Sequence, residues 1–328
     1  MKICLILEGC YPYVFGGVST WMHQYINNMK EHEFILWVIG ANAKDRGKFV
    51  YELPQNVTAV HEVFLDDALH VKASGKMRHR FSKEETDSLR ELMICGRPDW
   101  EVLFSLYQEK RLNPMSYLQS EEFLDILTKS CLTHYPYIAF ADAFHTMRSM
   151  LLPVLYLLGT EVPKADVYHA ICTGYGGMLA CLGGWMYQKK VLLTEHGIYT
   201  REREEEIIRA KWVVPSFKKQ WISFFYMLSD IIYRRAFQVT CLFTNAMLIQ
   251  IQMGCDAKKC RVIENGIHYE RLSQIPLKQE DGWVDIGAVV RLAPIKDIKT
   301  MIYAFFELSM RKKNVRLHIM GGVDDEEY

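Results

Sequence analysis

At 328 residues the chain exceeds one ordinary core, and at roughly 100–200 residues per domain it predicts two. Half of it is hydrophobic and 39 Lys and Arg balance 39 Asp and Glu, which excludes the basic footprint of a nucleic-acid binder or of a protein held on anionic lipid by charge alone. Nine cysteines (4, 10, 95, 131, 172, 181, 241, 255 and 260) are odd in number, lack a C-x-x-C pair and mostly fall in apolar runs, so they read as reduced core residues and not as a disulfide or metal framework.

Segment 2–7 is a short apolar run of the kind buried in a parallel sheet, too short for a signal-peptide core, so the chain is expected in the cytoplasm. After Gly16-Gly17 the period changes: Val18, Trp21, Met22, Tyr25, Ile26 and Met29 share one helical face, and 34–39 reads as the next strand. That is a β-loop-α-β opening of a doubly wound sheet. From about 66 to 160 the sequence turns to charged helices, such as 83–95 and 100–110, punctuated by Pro98, Pro114 and Pro136, which predicts a helical insertion. Strands at 166–171, 191–194, 239–243 and 261–263 then alternate with helices at 176–188, from Thr200, and at 215–237. The apolar stretches 138–159 and 221–237 carry charges that a spanning helix avoids, and read as buried helices with contact at a membrane surface as the lesser alternative. A polar linker, 273–282, leads to a second β-α-β start: strand 283–290, a helix with Ile298, Met301, Ile302, Phe305 and Leu308 on one face, and strand 315–320.

Four constellations carry chemistry. Gly16-Gly17 lies between a strand and a helix start, where backbone N–H groups can meet a substrate, or where a tight turn needs φ > 0. His196-Gly197 follows a strand at the edge where open α/β sheets bind ligands, and a histidine there can bond a sugar hydroxyl or simply satisfy the core. Behind that histidine, and part of the same constellation, Arg201-Glu202-Arg203-Glu204-Glu205-Glu206 reads as a solvated helix start that could also line the cleft. Gly174-Tyr175-Gly176-Gly177 only partly resembles a dinucleotide turn, because Leu179 takes the third glycine position. In Arg291-Leu292-Ala293-Pro294-Ile295-Lys296-Asp297 a strand runs into a loop with two cations, suited to a diphosphate.

Taken in order, Gly16-Gly17-Val18, Ile263-Glu264-Asn265-Gly266-Ile267, and Arg291-Leu292 with Lys296-Asp297 resemble the GGV loop, the NG-I/V turn and the RL-x3-KD motif of the GT4 glycosyltransferases. The phrases Glu8-Gly9-Cys10-Tyr11-Pro12-Tyr13 and His196-Gly197-Ile198-Tyr199-Thr200-Arg201-Glu202-Arg203, with the helical insertion, are more narrowly similar to the cytoplasmic glycosyltransferases of Pel exopolysaccharide assembly. The resemblance implies an α/β GT-B fold of two Rossmann-like domains, 1–275 with the insertion and 276–328, the second incomplete. It implies a retaining enzyme that transfers a hexose from a UDP-sugar to a growing exopolysaccharide, with no metal or other cofactor, and hands its product to an inner-membrane polysaccharide export complex, itself cytoplasmic or peripheral at that membrane. His196 would touch the donor sugar as the catalytic residue, Arg291 and Lys296 would hold the donor diphosphate, Gly16 and Gly17 would approach donor and acceptor, and Glu195, Arg201 and Asn265 would line the cleft. The carboxylate pair E-x7-E that the family places after the diphosphate motif is missing there; Glu101 and Glu109 have the spacing by chance, inside the insertion. The chain is therefore expected to stop within its second domain, to expose Ile302, Phe305 and Ile319, and to have little activity alone. A UDP-sugar 2-epimerase of the same fold and a non-catalytic scaffold of a membrane synthase are the alternatives.

Overall fold

The computed structural model describes residues 1–74, 79–267, 269–323 and 326–328, and divides into two compact units, Met1–Asn265 and Gly266–Tyr328. In the first unit β1 (Lys2–Glu8), α1 (Gly17–Asn28), β2 (Glu33–Gly40) and β3 (Val57–Phe64) come first. Five helices follow without an intervening strand: α2 (Lys83–Met93), α3 (Trp100–Gln108), α4 (Pro114–Leu118), α5 (Glu121–His134) and α6 (Phe140–Leu158). Alternation resumes with β4 (Val167–Ala170), α7 (Gly174–Tyr187), β5 (Lys190–Glu195), α8 (Tyr199–Arg209), α9 (Lys218–Arg235), β6 (Gln238–Cys241), α10 (Thr244–Gln252) and β7 (Cys260–Val262). The seven strands form one parallel sheet in the order β3-β2-β1-β4-β5-β6-β7, the Rossmann-like pattern that the β-α-β opening predicts.

A parallel sheet is covered on both faces, so its central strands carry apolar side chains on both. Along β1 the two faces divide cleanly: Ile3, Leu5 and Leu7 join Met22 and Ile26 of α1 in one core, while Cys4 and Ile6 face the larger core built by the insertion, α7 and α9. Leu5 is fully buried, and replacing such a leucine by alanine costs about 2–5 kcal/mol. The helices end where local chemistry dictates. Ser82 and Glu85 form a reciprocal capping box on α2, Asp99 caps α3, and Asn113 with Pro114 at the first position starts α4. The two apolar stretches tested for membrane character are α6 and α9, and among the described residues no helix is long and apolar enough to cross a membrane.

Two elements lie outside the sequence reading. β3 is an edge strand, half-buried along most of its length, and its polar His61 and Glu62 interrupt the apolar run by which strands are recognised. α10 packs only Ala246, Ile249 and Gln250 inward, too few for a clear period. The units part after Asn265, whereas the sequence reading draws the line at 275. Ile263 N–H bonds Cys241 O as the last contact with the sheet edge, after which the backbone leaves the first unit.

The second unit holds α11 (Tyr269–Ser273), β8 (Val284–Val289), α12 (Ile298–Arg311) and β9 (Val315–Met320), with β8 and β9 paired in parallel. Ala293, Ile298 and Val315 are its buried hydrophobic residues among those described. Ile302 is exposed as expected, but Phe305 of α12 and Ile319 of β9 are half-buried, and these two elements pack against each other.

Candidate functional site

Strand order reverses between β1 and β4, and open α/β sheets bind ligands at the carboxyl ends of the strands flanking such a reversal. Here β1 ends at Glu8, β4 runs through Ile171 and Cys172 into α7, and β5 ends at Glu195 before His196 and α8. These ends enclose a cleft of about 180 Å³ lined by Glu8, Cys172, His196, Tyr199, Glu202 and Arg203, among others. Tyr199, Glu202 and Arg203 are spaced i, i+3 and i+4, so one face of α8 turns toward the cleft.

Glu8 is its chemical centre. Its carboxylate accepts the Tyr199 phenol O–H at 3.0 Å and the Gly176 amide N–H at 3.2 Å, with the Cys172 thiol at 3.7 Å. The amide belongs to the first turn of α7, where the helix dipole favours a negative charge. Burial nevertheless pushes the Glu8 carboxyl above its ordinary value, against the pull of Arg203 and of these donors. The Arg203 guanidinium lies 5.1 Å over the Tyr199 ring and donates to Glu206 at 2.6 Å, while its buried Nε has no hydrogen-bond partner among the described residues.

His196 also lines the cleft, with its ring edge-on to Trp21 at 4.5 Å. Burial lowers its pKa, so the imidazole is neutral at pH 7, and its buried Nε2 also lacks a partner among the described residues. Behind it His169 bonds Thr194 at 2.8 Å, and burial with the neighbouring His196 takes its imidazole down to about 4. Two residues of its lining thus carry unpartnered buried nitrogens, which a hydroxyl-bearing ligand would satisfy.

The expected site residues fall in different places. His196 lines the cleft. Glu195 does not: its carboxylate turns into the core, accepts from Tyr233 at 2.7 Å and Gln250 at 2.8 Å, and burial pushes it up to about 7. Arg201 is exposed and off the cleft face of α8, which Arg203 occupies instead. Gly16 and Gly17 are exposed where α1 begins, one step before Val18, which lines the cleft. Gly16 has φ 174°, an extended backbone open to any residue, and a Cβ on either glycine would meet nothing within 4 Å. The tight-turn reading of this pair therefore fails, and the space beside the cleft stays open. Asn265 is exposed at the end of the first unit. In the second unit Arg291 and Lys296 are exposed in the loop from β8 to α12; Leu292 pins that loop to Gly322, and Asp297 caps α12.

The sequence reading gives Glu8, Cys172 and Tyr199 no role in the site, and it holds Arg203 only within a helix start that could line the cleft, as Glu202 and Arg203 do. A lone carboxylate closing an apolar strand is the signal that marked Glu8, and the glycine run at 174–177 that resembles a dinucleotide turn builds its surroundings. All nine cysteines are free, and among the described residues no cluster of His, Cys, Asp or Glu could hold a metal ion.

Residues 1–258 match the family model described as "Domain of unknown function (DUF3492)". The chain belongs to the DUF3492 family. No curated protein matches it. Among solved structures, Anabaena Alr3699/HepE in complex with UDP and glucose is 13% identical over 98% of this chain and 61% of that one, with a TM-score of 0.46. The same protein in complex with UDP-glucose gives 12%, 100%, 62% and 0.47. The catalytic domain of Arabidopsis thaliana starch synthase IV bound to ADP and acarbose gives 11%, 99%, 69% and 0.40. The DUF3492 chain thus spans about three fifths of the length of the HepE chains it matches.

Proposed function

We propose that this chain carries the cleft and the diphosphate loop of a retaining glycosyltransferase that moves a hexose from a UDP-sugar to a growing exopolysaccharide. The observation behind the reading is the cleft at the strand-order reversal, with neutral His196 and Arg203 Nε as unpartnered buried groups and the open Gly16-Gly17 backbone beside it. The sequence resemblance supplies the reaction class. In this reading His196 bonds a donor-sugar hydroxyl, and Glu8 with Arg203 receives an acceptor hydroxyl. As the acceptor oxygen bonds the anomeric carbon it gives its proton to the departing β-phosphate oxygen, the bond from that oxygen to the carbon breaks with its electron pair passing to UDP, and Arg291 and Lys296 offset the diphosphate charge without a metal. The reading also has the enzyme working in the cytoplasm, or at the inner-membrane surface beside an export complex.

The test is turnover of UDP-glucose, UDP-galactose and UDP-N-acetylglucosamine with an oligosaccharide acceptor, in the parent and in His196→Ala. Transfer that is lost in a variant with unchanged melting temperature supports the reading. Acceptor-independent epimerisation of UDP-N-acetylglucosamine, or the absence of any binding of UDP, would overturn it.

A further inference from the structure

A second concavity, of about 510 Å³, lies in the first unit between the edge of the sheet and the helical insertion, within the ~300–1,000 Å³ typical of ligand pockets. It shares no residue with the Glu8 cleft. Its floor includes Trp37 of β2 and Tyr107 of α3, which are 0% and 1% exposed. Neither the Trp37 indole Nε1–H nor the Tyr107 hydroxyl has a hydrogen-bond partner among the described residues. Leaving such a group unpaired costs about 1–3 kcal/mol, so two in one cavity require an explanation.

The rim narrows the ligand class. Arg111 stands there on a left-handed backbone, φ 52°, an arrangement costly for a side-chain-bearing residue. The Glu161 carboxylate and His61 share that lining, whereas the Glu62 carboxylate turns to the other face of the sheet, where it accepts from Tyr13 and the Gly47 amide. Arg111 and Glu161 balance each other, so the rim offers a phosphate or a carboxylate ligand no net positive field. The Tyr156 ring, Leu112 and Pro114 give apolar surface between these polar groups. Two buried donors, one carboxylate acceptor balanced by one cation, and an aromatic wall suit an uncharged molecule that bears many hydroxyls on C–H faces. We infer that this groove is a saccharide-binding site, separate from the cleft. The inference stands without the transferase reading, because it concerns binding alone and invokes no sugar nucleotide.

The experiment is calorimetric titration of the whole 328-residue chain with cellotriose and with triacetylchitotriose, and with inorganic phosphate as the anionic control. At least one trisaccharide is expected to bind and phosphate is not. Tyr107→Phe removes one hydroxyl and keeps the ring, so it is expected to weaken binding about fivefold while the melting temperature holds or rises, since an unpaired buried hydroxyl is gone. Arg111→Ala on the exposed rim, where folding is not at stake, is expected to weaken it as well. Absence of binding by both trisaccharides, affinity unchanged in both variants, or preferential binding of phosphate would each overturn the assignment.

Discussion

A Cβ placed on Gly174 would lie 2.3 Å from Cζ of Tyr199. Gly174 also stands at φ 61°, so this one position fails an alanine on two counts, and its bareness is what lets the phenol reach Glu8. Left-handed backbone costs a non-glycine residue about 1–2 kcal/mol and overpacking about 1–3 more. Gly174→Ala is therefore expected to lower stability in urea denaturation by about 2–5 kcal/mol, whereas Tyr199→Phe, which loses one hydrogen bond, costs about 1 kcal/mol. Equal losses in the two variants would contradict the close approach.

Glu195 gives a pH signature. Burial pushes its carboxyl up from 4.5 to about 7 in the folded chain, while Tyr233, Gln250 and the Tyr199 amide pull it down. Between these two values the folded chain holds a proton that the unfolded chain has released, so stability falls as pH rises through that window. The proton's contribution is complete below pH 4.5 and gone above about 7. Glu195→Gln, neutral at every pH, is expected to raise the melting temperature over the parent by several degrees at pH 8 and by little near pH 5. A difference independent of pH would mean that this carboxylate ionises as freely inside as outside.

Arg291 and Lys296 are assigned to the donor diphosphate on their sequence context and shared loop. Charge-assisted hydrogen bonds contribute about 1.5–3 kcal/mol each, so either change to alanine is expected to weaken UDP binding roughly tenfold or more. Calorimetry that finds both variants binding UDP as the parent does would remove these residues from the site.

The second unit has little core of its own. Its β8 and β9 form a two-stranded sheet, and Val289, Ile302, Phe306 and Met310 are exposed. Such a piece opens readily. Limited proteolysis is expected to cleave first in the exposed segment 269–282 and to leave a resistant fragment holding Met1–Asn265. Survival of the whole chain under conditions that cut an unstructured control would show a more stable second unit.

Apolar periodicity determined the outline of this protein. The strand at Lys2–Glu8, the helix face of Val18, Met22 and Ile26, the helices between β3 and β4, and the strand at Val315–Met320 all follow from local burial patterns that neighbours in sequence reveal. β3 escaped because an edge strand buries too little for its pattern to survive His61 and Glu62. His196 was legible as a residue at the end of a strand. What only the tertiary structure decided is direction and company. A strand-end pair such as Glu195 and His196 points to opposite sides, so one carboxylate sinks against Tyr233 and the neighbouring imidazole meets the cleft. A helical turn likewise gives Arg203, and not Arg201, to the site. Glu8, Gly176 and Tyr199 come from three separate stretches of the chain and become one hydrogen-bonded group only where β1, α7 and α8 converge, with bare Gly174 making room for the phenol, a convergence that no local period encodes.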